Sequence, residues 1–195
     1  MRPVFSRLRR LLVAAVALAV ALVAESPALR AQIHAFPQEP GAAPEAIAPI
    51  YFPHTKSYFA LLTDLPKPPQ WITAERVARS KTFKGVRGRL AVVRDVETHS
   101  FLQANFTIHE EAWIGLRFFC SVRKLVWVDG EEQTPKDFKM WAKPWHRGDS
   151  TCTTARGMPY MPIHYLPQSK GFRWQASGVS KYFVSYFIEY PTGKE

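Results

Sequence analysis

The feature that most constrains this chain is a pair of short apolar runs, Trp113-Ile114-Gly115-Leu116 and Trp127-Val128-Asp129-Gly130. Their large aromatic and branched side chains predict two neighbouring strands joined by a loop. Gly115 lies inside the first strand, where glycine weakens pairing and is expected only where another backbone or a ring packs closely. The Asp129-Gly130 pair is typical of a turn that ends the second strand. Two tryptophans and an internal glycine in such a pair indicate that it builds a core.

The first residues have the composition of a secretory signal peptide. Four arginines precede Leu11, and residues 11–24 are an unbroken run of 14 apolar residues. As a helix this run would be about 21 Å long, whereas the hydrocarbon core of a bilayer is roughly 30 Å thick. We therefore predict a signal peptide over residues 1–24 and a secreted or periplasmic protein, with an uncleaved anchor as the less favoured alternative. No later stretch predicts an integral membrane span.

Proline density distinguishes the next segment from the folded domain. Residues 25–54 are rich in Pro and Ala, with prolines at positions 27, 37, 40, 44, 49 and 53. Proline at this density disfavours helix and sheet interiors alike, so this segment is predicted to be an extended tether. The folded domain is expected to occupy residues 55–195, which is the length of one domain.

Periodicity and capping signals predict an α+β fold for this domain. Ala74, Val77 and Ala78 have helical spacing, and Asp95 is a good N-cap for a second helix. The predicted elements are helices over 71–81 and 96–104, strands over 58–62, 112–119, 125–128 and 182–190, and a long loop over about 143–168. Two helices followed by several strands are typical of the α+β class.

The net charge of the domain is moderately positive. Five of the 26 Lys and Arg and one of the 16 Asp and Glu lie in residues 1–30, which leaves a net charge of +6. Such a charge favours anionic partners, such as acidic glycans, at low salt, although ordinary solubility charge is the preferred explanation. The sequence has no helix-turn-helix, RNA-recognition or zinc-finger pattern, so no nucleic-acid partner is predicted.

The two cysteines, Cys120 and Cys152, are predicted to form a disulfide, because an exported protein meets an oxidising environment. Two separate buried thiols are the alternative. A disulfide between them would stabilise the fold by about 3 to 4 kcal/mol according to the chain-entropy model.

Several short motifs occur in a fixed order along the domain. They are Trp71 with Ala74; Gly88 to Val93; Glu97 with Phe101-Leu102; Trp113 to Leu116; Trp127 to Gly130; Trp141; Cys152; and Phe187-Ile188-Glu189. In this order they resemble the C-type lectin-like domain over about residues 58–191. The resemblance implies two helices packed on small antiparallel sheets, paired N- and C-terminal strands, and a long loop region over about residues 143–174 that carries any ligand site.

The resemblance also identifies departures from the family's cysteine pattern. The family's disulfide between its first helix and last strand corresponds here to Ala78 and Ile188, which can replace it by packing. The usual partner of Cys152, near Val179, is absent, which leaves Cys120 as the candidate partner.

The calcium ligands of the family's sugar binders are also replaced. The corresponding tripeptides here are Lys143-Pro144-Trp145 and Trp174-Gln175-Ala176, and Asp149 remains as a lone carboxylate. Calcium takes six to eight oxygen ligands, several of them carboxylates. We therefore predict that any ligand is bound without calcium, and that no metal or other cofactor takes part.

The predicted ligand site is a mixture of aromatic and basic side chains in and beside the long loop. Its residues are Lys143, Trp145, His146, Arg147, Asp149, Arg173, Trp174 and Gln175. Such a mixture suits sugar rings or a protein surface. The alternative is that the loop folds back and uses these rings as a core of its own.

The leading hypothesis is therefore an exported C-type lectin-like binding module that recognises an extracellular carbohydrate or protein. The alternative is a structural or assembly subunit of an extracytoplasmic complex with no small ligand. An enzyme is not predicted, because Gly-x-Ser-x-Gly, P-loop and His-Glu-x-x-His motifs are absent and the histidines lack zinc spacing.

Overall fold

The computed structural model describes residues 48–63, 65–143, 152 and 159–195. The predicted signal peptide, and the predicted tether up to residue 47, lie outside the described residues. The strands are β1 (Ile50–Phe52), β2 (Ser57–Leu62), β3 (Thr82–Phe83), β4 (Val86–Arg87), β5 (Arg89–Leu90), β6 (Ala112–Phe119), β7 (Lys124–Trp127), β8 (Glu132–Gln133), β9 (Tyr160–Tyr165), β10 (Trp174–Ala176) and β11 (Ser185–Tyr190). The helices are α1 (Trp71–Ser80), α2 (Val96–Asn105) and a 3-10 helix (Gln168–Lys170).

The described strands other than β3 and β4 form one sheet with hydrogen-bonded order β1-β2-β11-β6-β7-β8. Strand β9 pairs with β6, β10 with β9, and β5 with β11, while β3 and β4 form a separate hairpin. The last strand, β11, is antiparallel to β2, with Tyr190 opposite Tyr58. This confirms the predicted α+β fold with paired terminal strands. One pair departs from an antiparallel arrangement, because β11 is parallel to β6 where Ser185 lies opposite Ala112.

Strand β1 lies inside the segment that proline density predicts to be a tether. Ile50 lies opposite Phe59 of β2, and the Phe52 ring stacks on Phe101 of α2 with ring centroids 4.3 Å apart. Two apolar residues at alternate positions are enough to pack one face of a short edge strand. The ordered domain therefore begins before the predicted boundary at residue 55.

Both predicted helices are present, and each is anchored by a specific hydrogen bond. The indole N–H of Trp71 donates to the carbonyl oxygen of Ile114 at 2.7 Å, which fixes the start of α1 on β6. The Asp95 side chain accepts a hydrogen bond from the backbone N–H of Thr98, which is the predicted N-cap of α2. Among the described residues, no helix combines the length and apolar character needed to cross a membrane.

Gly115 occupies the closest backbone approach in the core. A Cβ atom at this position would lie 2.7 Å from the carbonyl oxygen of Leu90 and 3.0 Å from that of Ala91. It would also lie 2.8 Å from a methyl carbon of Val128. The sequence predicts that another backbone packs against this glycine, and the contact with the segment that follows β5 confirms it.

The predicted long loop over residues 143–168 is wrong between Tyr160 and Tyr165, which form β9 beside β6. Pro159 and Pro162 conceal this strand, because proline cannot donate to a sheet ladder and is unusual inside a strand. The sheet accommodates Pro162 at a register shift between Trp113 and Arg117 of β6. Such irregularities are where a sheet tolerates proline.

The two departures from the family's cysteine pattern are resolved by packing and by one disulfide. Cys120 and Cys152 are bonded, with Cα atoms 5.6 Å apart, as predicted. Ala78 and Ile188 are fully buried in one apolar cluster. A Cβ on Gly88 would lie 2.7 Å from the Ala78 carbonyl oxygen and 2.9 Å from an Ile188 methyl, so glycine permits α1 and β11 to approach closely here.

Glu189, the acidic residue of the closing motif, joins three strands at the end of the sheet. Its carboxylate accepts hydrogen bonds from the Ser57 hydroxyl at 3.0 Å, from the Val92 backbone N–H at 3.1 Å and from the Arg89 guanidinium. The Glu189 residue is only 3% exposed. Because each carboxylate oxygen has donors, this buried charge is compensated rather than left isolated.

Candidate functional site

The candidate site is built around β10, the short strand that holds the second predicted tripeptide. On one side β10 pairs with β9, where Gln175 lies opposite His164. On its other side runs the segment 140–142, because the Trp174 N–H donates to the Met140 carbonyl at 2.7 Å and the Ala142 N–H donates to the Trp174 carbonyl at 2.9 Å. Strand β10 therefore lies between these two segments and holds both in place.

The side chains of β10 and the residue before it alternate between solvent and core. Arg173 and Gln175 are exposed, whereas Trp174 between them is fully buried. This is the two-residue period of an extended strand. Arg173 and Gln175 therefore share the outward face.

Trp174 is a core residue. Its ring packs edge-on against Trp141, Phe138 and Trp127, with ring centroids 5.5, 5.6 and 5.8 Å away. This arrangement matches the alternative in which the loop uses its rings as a core. The ring of Trp174 thus presents no accessible surface to a ligand in this structure, although the sequence places it among the predicted ligand contacts.

The remaining predicted site residues divide into two groups. Lys143 is exposed and directly follows the segment beside β10, so its backbone lies close to that strand. Four others lie outside the described residues: Trp145, His146, Arg147 and Asp149. The exposed residues on and beside this strand, Lys143, Arg173 and Gln175, are together called the β10 edge below.

The β10 edge supplies hydrogen-bond donors and positive charge. Arg173 carries five N–H donors, Lys143 carries three, and the Gln175 amide both donates and accepts. Between Asp137 and Glu189 the sequence contains a single carboxylate, Asp149. This donor-rich chemistry suits ligand oxygens with partial or full negative charge.

A calcium ion does not fit the described part of this edge. The oxygen ligands that calcium prefers are represented only by the Gln175 amide, by backbone carbonyls and by Ser177 beyond the strand. Elsewhere in the described residues, the donor atoms of His54, Asp95 and Glu97 lie within 4.8 Å of one another near the start of α2. None of these three residues belongs to β10 or to the two segments beside it.

A neutral, buried side chain that the sequence does not reveal lies beside the β10 edge. His164, opposite Gln175, is buried and packs against the rings of Phe183 and Trp113 at 4.6 and 5.8 Å. Burial lowers the pKa of His164 to about 4, so its imidazole is neutral at physiological pH. The sequence does not indicate that His164 is buried, because it lies in β9 and the prolines of that strand resemble loop residues.

A second buried histidine lies on the opposite face of the β9–β10 pair, the face that carries Trp174. His99 Nδ1 lies 2.8 Å from the hydroxyl of Tyr165, which is the partner of Trp174 in β9. Burial lowers the pKa of His99 and raises the pKa of Tyr165, so both groups stay uncharged. The charge of the site therefore resides in its exposed side chains.

One concave region of the described surface contains charges that are already paired. A cavity of about 230 Å³ is lined by Arg89, Arg94 and Glu189, among others. Both arginines contact Asp129, and Arg89 also binds Glu189. These ion pairs link the ends of the strands. Because they neutralise most of the local charge, little of it is available to bind a ligand.

Comparison with known proteins identifies the family of this architecture. A family model described as the lectin C-type domain matches residues 78–182, which is more than half of the chain. Among solved structures, the carbohydrate-recognition domain of cow CD23, solved in the presence of an oligosaccharide, is 21% identical with a TM-score of 0.53. That match covers 76% of this chain and 95% of the cow domain.

Two further solved structures are similar to this chain. The mouse scavenger receptor C-type lectin domain is 15% identical, covering 76% of this chain and 97% of its own, with a TM-score of 0.49. A C-type lectin from Saxidomus purpuratus, SPL-2, is 16% identical, covering 70% and 88%, with a TM-score of 0.49. No curated protein sequence matches the chain.

Proposed function

This chain belongs to the C-type lectin domain family, and from that premise we propose that it is an exported binding module. In this proposal the β10 edge recognises an extracellular or periplasmic glycan or protein without calcium, and binding involves no catalytic step. Export is supported by the signal-peptide composition of residues 1–24 and by the Cys120–Cys152 disulfide.

The observation that carries the proposal is the side-chain chemistry of β10. Sugar binders of the family use a carboxylate and an amide after the tryptophan of this strand, whereas this chain has Gln175 and Ala176. The exposed neighbours are cationic, Arg173 and Lys143. Two cations repel a divalent ion, and an alanine offers no ligand to it. Recognition by direct hydrogen bonds from the protein therefore fits this edge better than recognition through calcium.

The rigid support of the exposed side chains also favours a binding role. Strand β10 is hydrogen-bonded on both sides, and its first residue, Trp174, is packed in an aromatic cluster. Side chains on such a strand lose little backbone entropy when a ligand binds. Arg173 and Gln175 are thus presented in a fixed spacing before a ligand arrives.

The proposal is tested by binding of the purified protein to an immobilised panel of glycans, in EDTA and in calcium. We expect binding that is equal in the two buffers and that falls about tenfold in Arg173→Ala, since a charged hydrogen bond contributes about 1.5 to 3 kcal/mol. Arg76→Ala, an exposed arginine of α1, is the matched control and should bind as the parent does. Glycan binding that disappears in EDTA would refute the calcium-free mode.

The burial of Trp174 favours a second candidate function, a structural or assembly subunit with no small ligand. The ring that could have stacked on a sugar is used to build the core. In that case the protein should co-purify at fixed stoichiometry with one extracytoplasmic partner and bind no glycan. Arg173→Ala would then leave the complex intact unless the partner covers the β10 edge.

A further inference from the structure

We propose that the ligand of the β10 edge is an acidic glycan, recognised through its carboxylate or sulfate groups. This inference rests on the proposed function, because it names the chemical class of ligand for the same site. It is carried by the distribution of paired and unpaired charges in the domain.

Positive charge is concentrated in the part of the chain that contains β9 and β10. Residues 138–188 contain seven Lys and Arg but only one Asp and no Glu. The seven are Lys139, Lys143, Arg147, Arg156, Lys170, Arg173 and Lys181. Seven basic and one acidic residue give this segment a net charge of +6, which equals the net charge of residues 31–195 as a whole. Ordinary solubility charge would be interspersed with acidic residues rather than concentrated in this way.

Several arginines elsewhere in the domain are paired with carboxylates. Arg79 pairs with Glu75 in α1, and Arg89 pairs with Glu189 at 3.0 Å. Arg94 pairs with Asp129 close to the same cluster. These arginines stabilise the fold, and their charge is largely cancelled by their partners.

The cations of the β10 edge have no such partner among the described residues. Neither Arg173 nor Lys143 lies within ion-pair distance of a described carboxylate, and both are exposed. Lys170, which lies in the 3-10 helix shortly before Arg173, contacts Glu111 at 3.4 Å, and its side chain is 60% exposed. An anionic ligand would therefore gain charge-assisted hydrogen bonds without displacing an internal ion pair.

The neutral His164 beside Gln175 is consistent with this electrostatic preference. Burial lowers the pKa of His164 to about 4, so this residue adds no opposing or supporting charge near neutral pH. The apolar rings around His164 limit solvent on one side of the edge. Charges against such a surface are screened less than charges surrounded by water.

The composition of the edge favours a glycan over other polyanions. Gln175 lies two residues from Arg173, and its amide can donate to and accept from sugar hydroxyls. An acidic sugar offers hydroxyls that can bond to the amide and anionic oxygens that can bond to the cations. A nucleic-acid backbone or an anionic membrane would instead favour an uninterrupted run of Lys and Arg.

The test measures binding of the full chain, in EDTA, to polygalacturonate, dextran sulfate and neutral dextran, with duplex DNA and phosphatidylserine vesicles as further arms. We expect binding to either acidic glycan, weakening several-fold as salt rises from about 50 to 300 mM, since the Debye length falls over this range. Neutral dextran should bind far more weakly than both.

Matched variants locate the binding to the edge. Arg173→Gln with Lys143→Gln should weaken binding to polygalacturonate about tenfold or more, because two charge-assisted hydrogen bonds are lost. Arg76→Gln with Lys67→Gln removes the same charge from exposed positions elsewhere and should change binding less than about twofold. Circular dichroism and thermal unfolding establish whether both double variants are folded. The salt dependence is measured on the parent protein, so that result does not depend on the folding of any variant.

The outcomes separate this inference from the proposed function. Equal binding of neutral and acidic glycans, sensitive to Arg173→Gln, would overturn the acidic preference and leave the proposed function intact. Tighter binding of DNA or vesicles with the same variant sensitivity would overturn the assignment to a glycan. Absence of any glycan or protein ligand in either buffer would overturn the proposed function itself.

Discussion

Replacing Gly115 by alanine tests the packing of the tryptophan-rich strand against β5. The added methyl would lie 2.7 and 3.0 Å from two backbone carbonyl oxygens, those of Leu90 and Ala91, and 2.8 Å from Val128. Real Cβ atoms rarely approach other heavy atoms below 3.0 Å. A side chain can rotate away, but the two carbonyls can move only if the backbone of this segment moves.

The expected loss follows from what that movement would break. The Gly115 N–H donates to Ala91 and its carbonyl accepts from Val128, both at 2.8 Å. Weakening two buried hydrogen bonds costs about 1 kcal/mol each, and overpacking a core costs about 1 to 3 kcal/mol. We expect Gly115→Ala to lower the free energy of unfolding by about 3 kcal/mol. For a domain of this size, that loss lowers Tm by roughly 10 °C.

The assay is urea unfolding followed by tryptophan fluorescence, with a double-mutant cycle at Val128. Val128→Ala removes the side-chain contact and leaves both carbonyls in place, so it should not rescue Gly115→Ala. Gly85→Ala is the control, because its Cβ would meet nothing within 4 Å and would cost only the strain of φ +78°. Full rescue by Val128→Ala, or a loss below about 0.5 kcal/mol, would refute the backbone-contact explanation.

Three further predictions concern stability. His164 has a folded-state pKa of about 4, below its ordinary 6.5, so the unfolded chain takes up the proton first. Stability should be complete above pH 6.5 and fall by up to about 3 kcal/mol as the pH drops to 4, and His164→Gln should flatten this profile in urea titrations. Reduction, or Cys120→Ser with Cys152→Ser, should cost about 3 to 4 kcal/mol, and an unchanged Tm with and without reductant would contradict a formed disulfide. Glu189→Gln should cost about 3 kcal/mol by leaving the half-buried Arg89 with Asp129, 3.4 Å away, as its remaining carboxylate partner among the described residues, whereas Glu189→Gln with Arg89→Met should recover part of that loss in the same titration.

Sequence reasoning was most successful where a residue's role depends on its chain neighbours. Asp95 caps α2 because an acidic side chain can reach the N–H three residues later. The spacing from Ala74 to Ala78 placed the apolar side of α1, and Cys120 and Cys152 indicated their own bond. It was least successful in β9, because prolines within a strand look like loop residues until the register shift beside Trp113 and Arg117 is seen.

For the candidate site, too, some properties follow from residue type and others depend on the tertiary structure. Residue types alone indicated a cationic region without calcium ligands, since the replacement of carboxylates at Gln175 and Ala176 is visible in the sequence. Residue types could not predict that Arg173 is exposed whereas Trp174 is buried. That separation depends on which face of β10 meets the rings of Trp127 and Trp141.

The sequence alone therefore determined the two-helix α+β fold and its tryptophan-rich core. It also determined the closing glutamate and the excess of positive charge between residues 138 and 188. These properties reside in local periodicity, turn chemistry and residue type. Only the tertiary structure decided that Gly115 admits the β5 backbone, that Trp174 is buried, and that Arg173 and Lys143 are exposed without a carboxylate partner among the described residues. These are contacts between segments far apart in the chain, and a residue's exposure and its partners are set by such contacts.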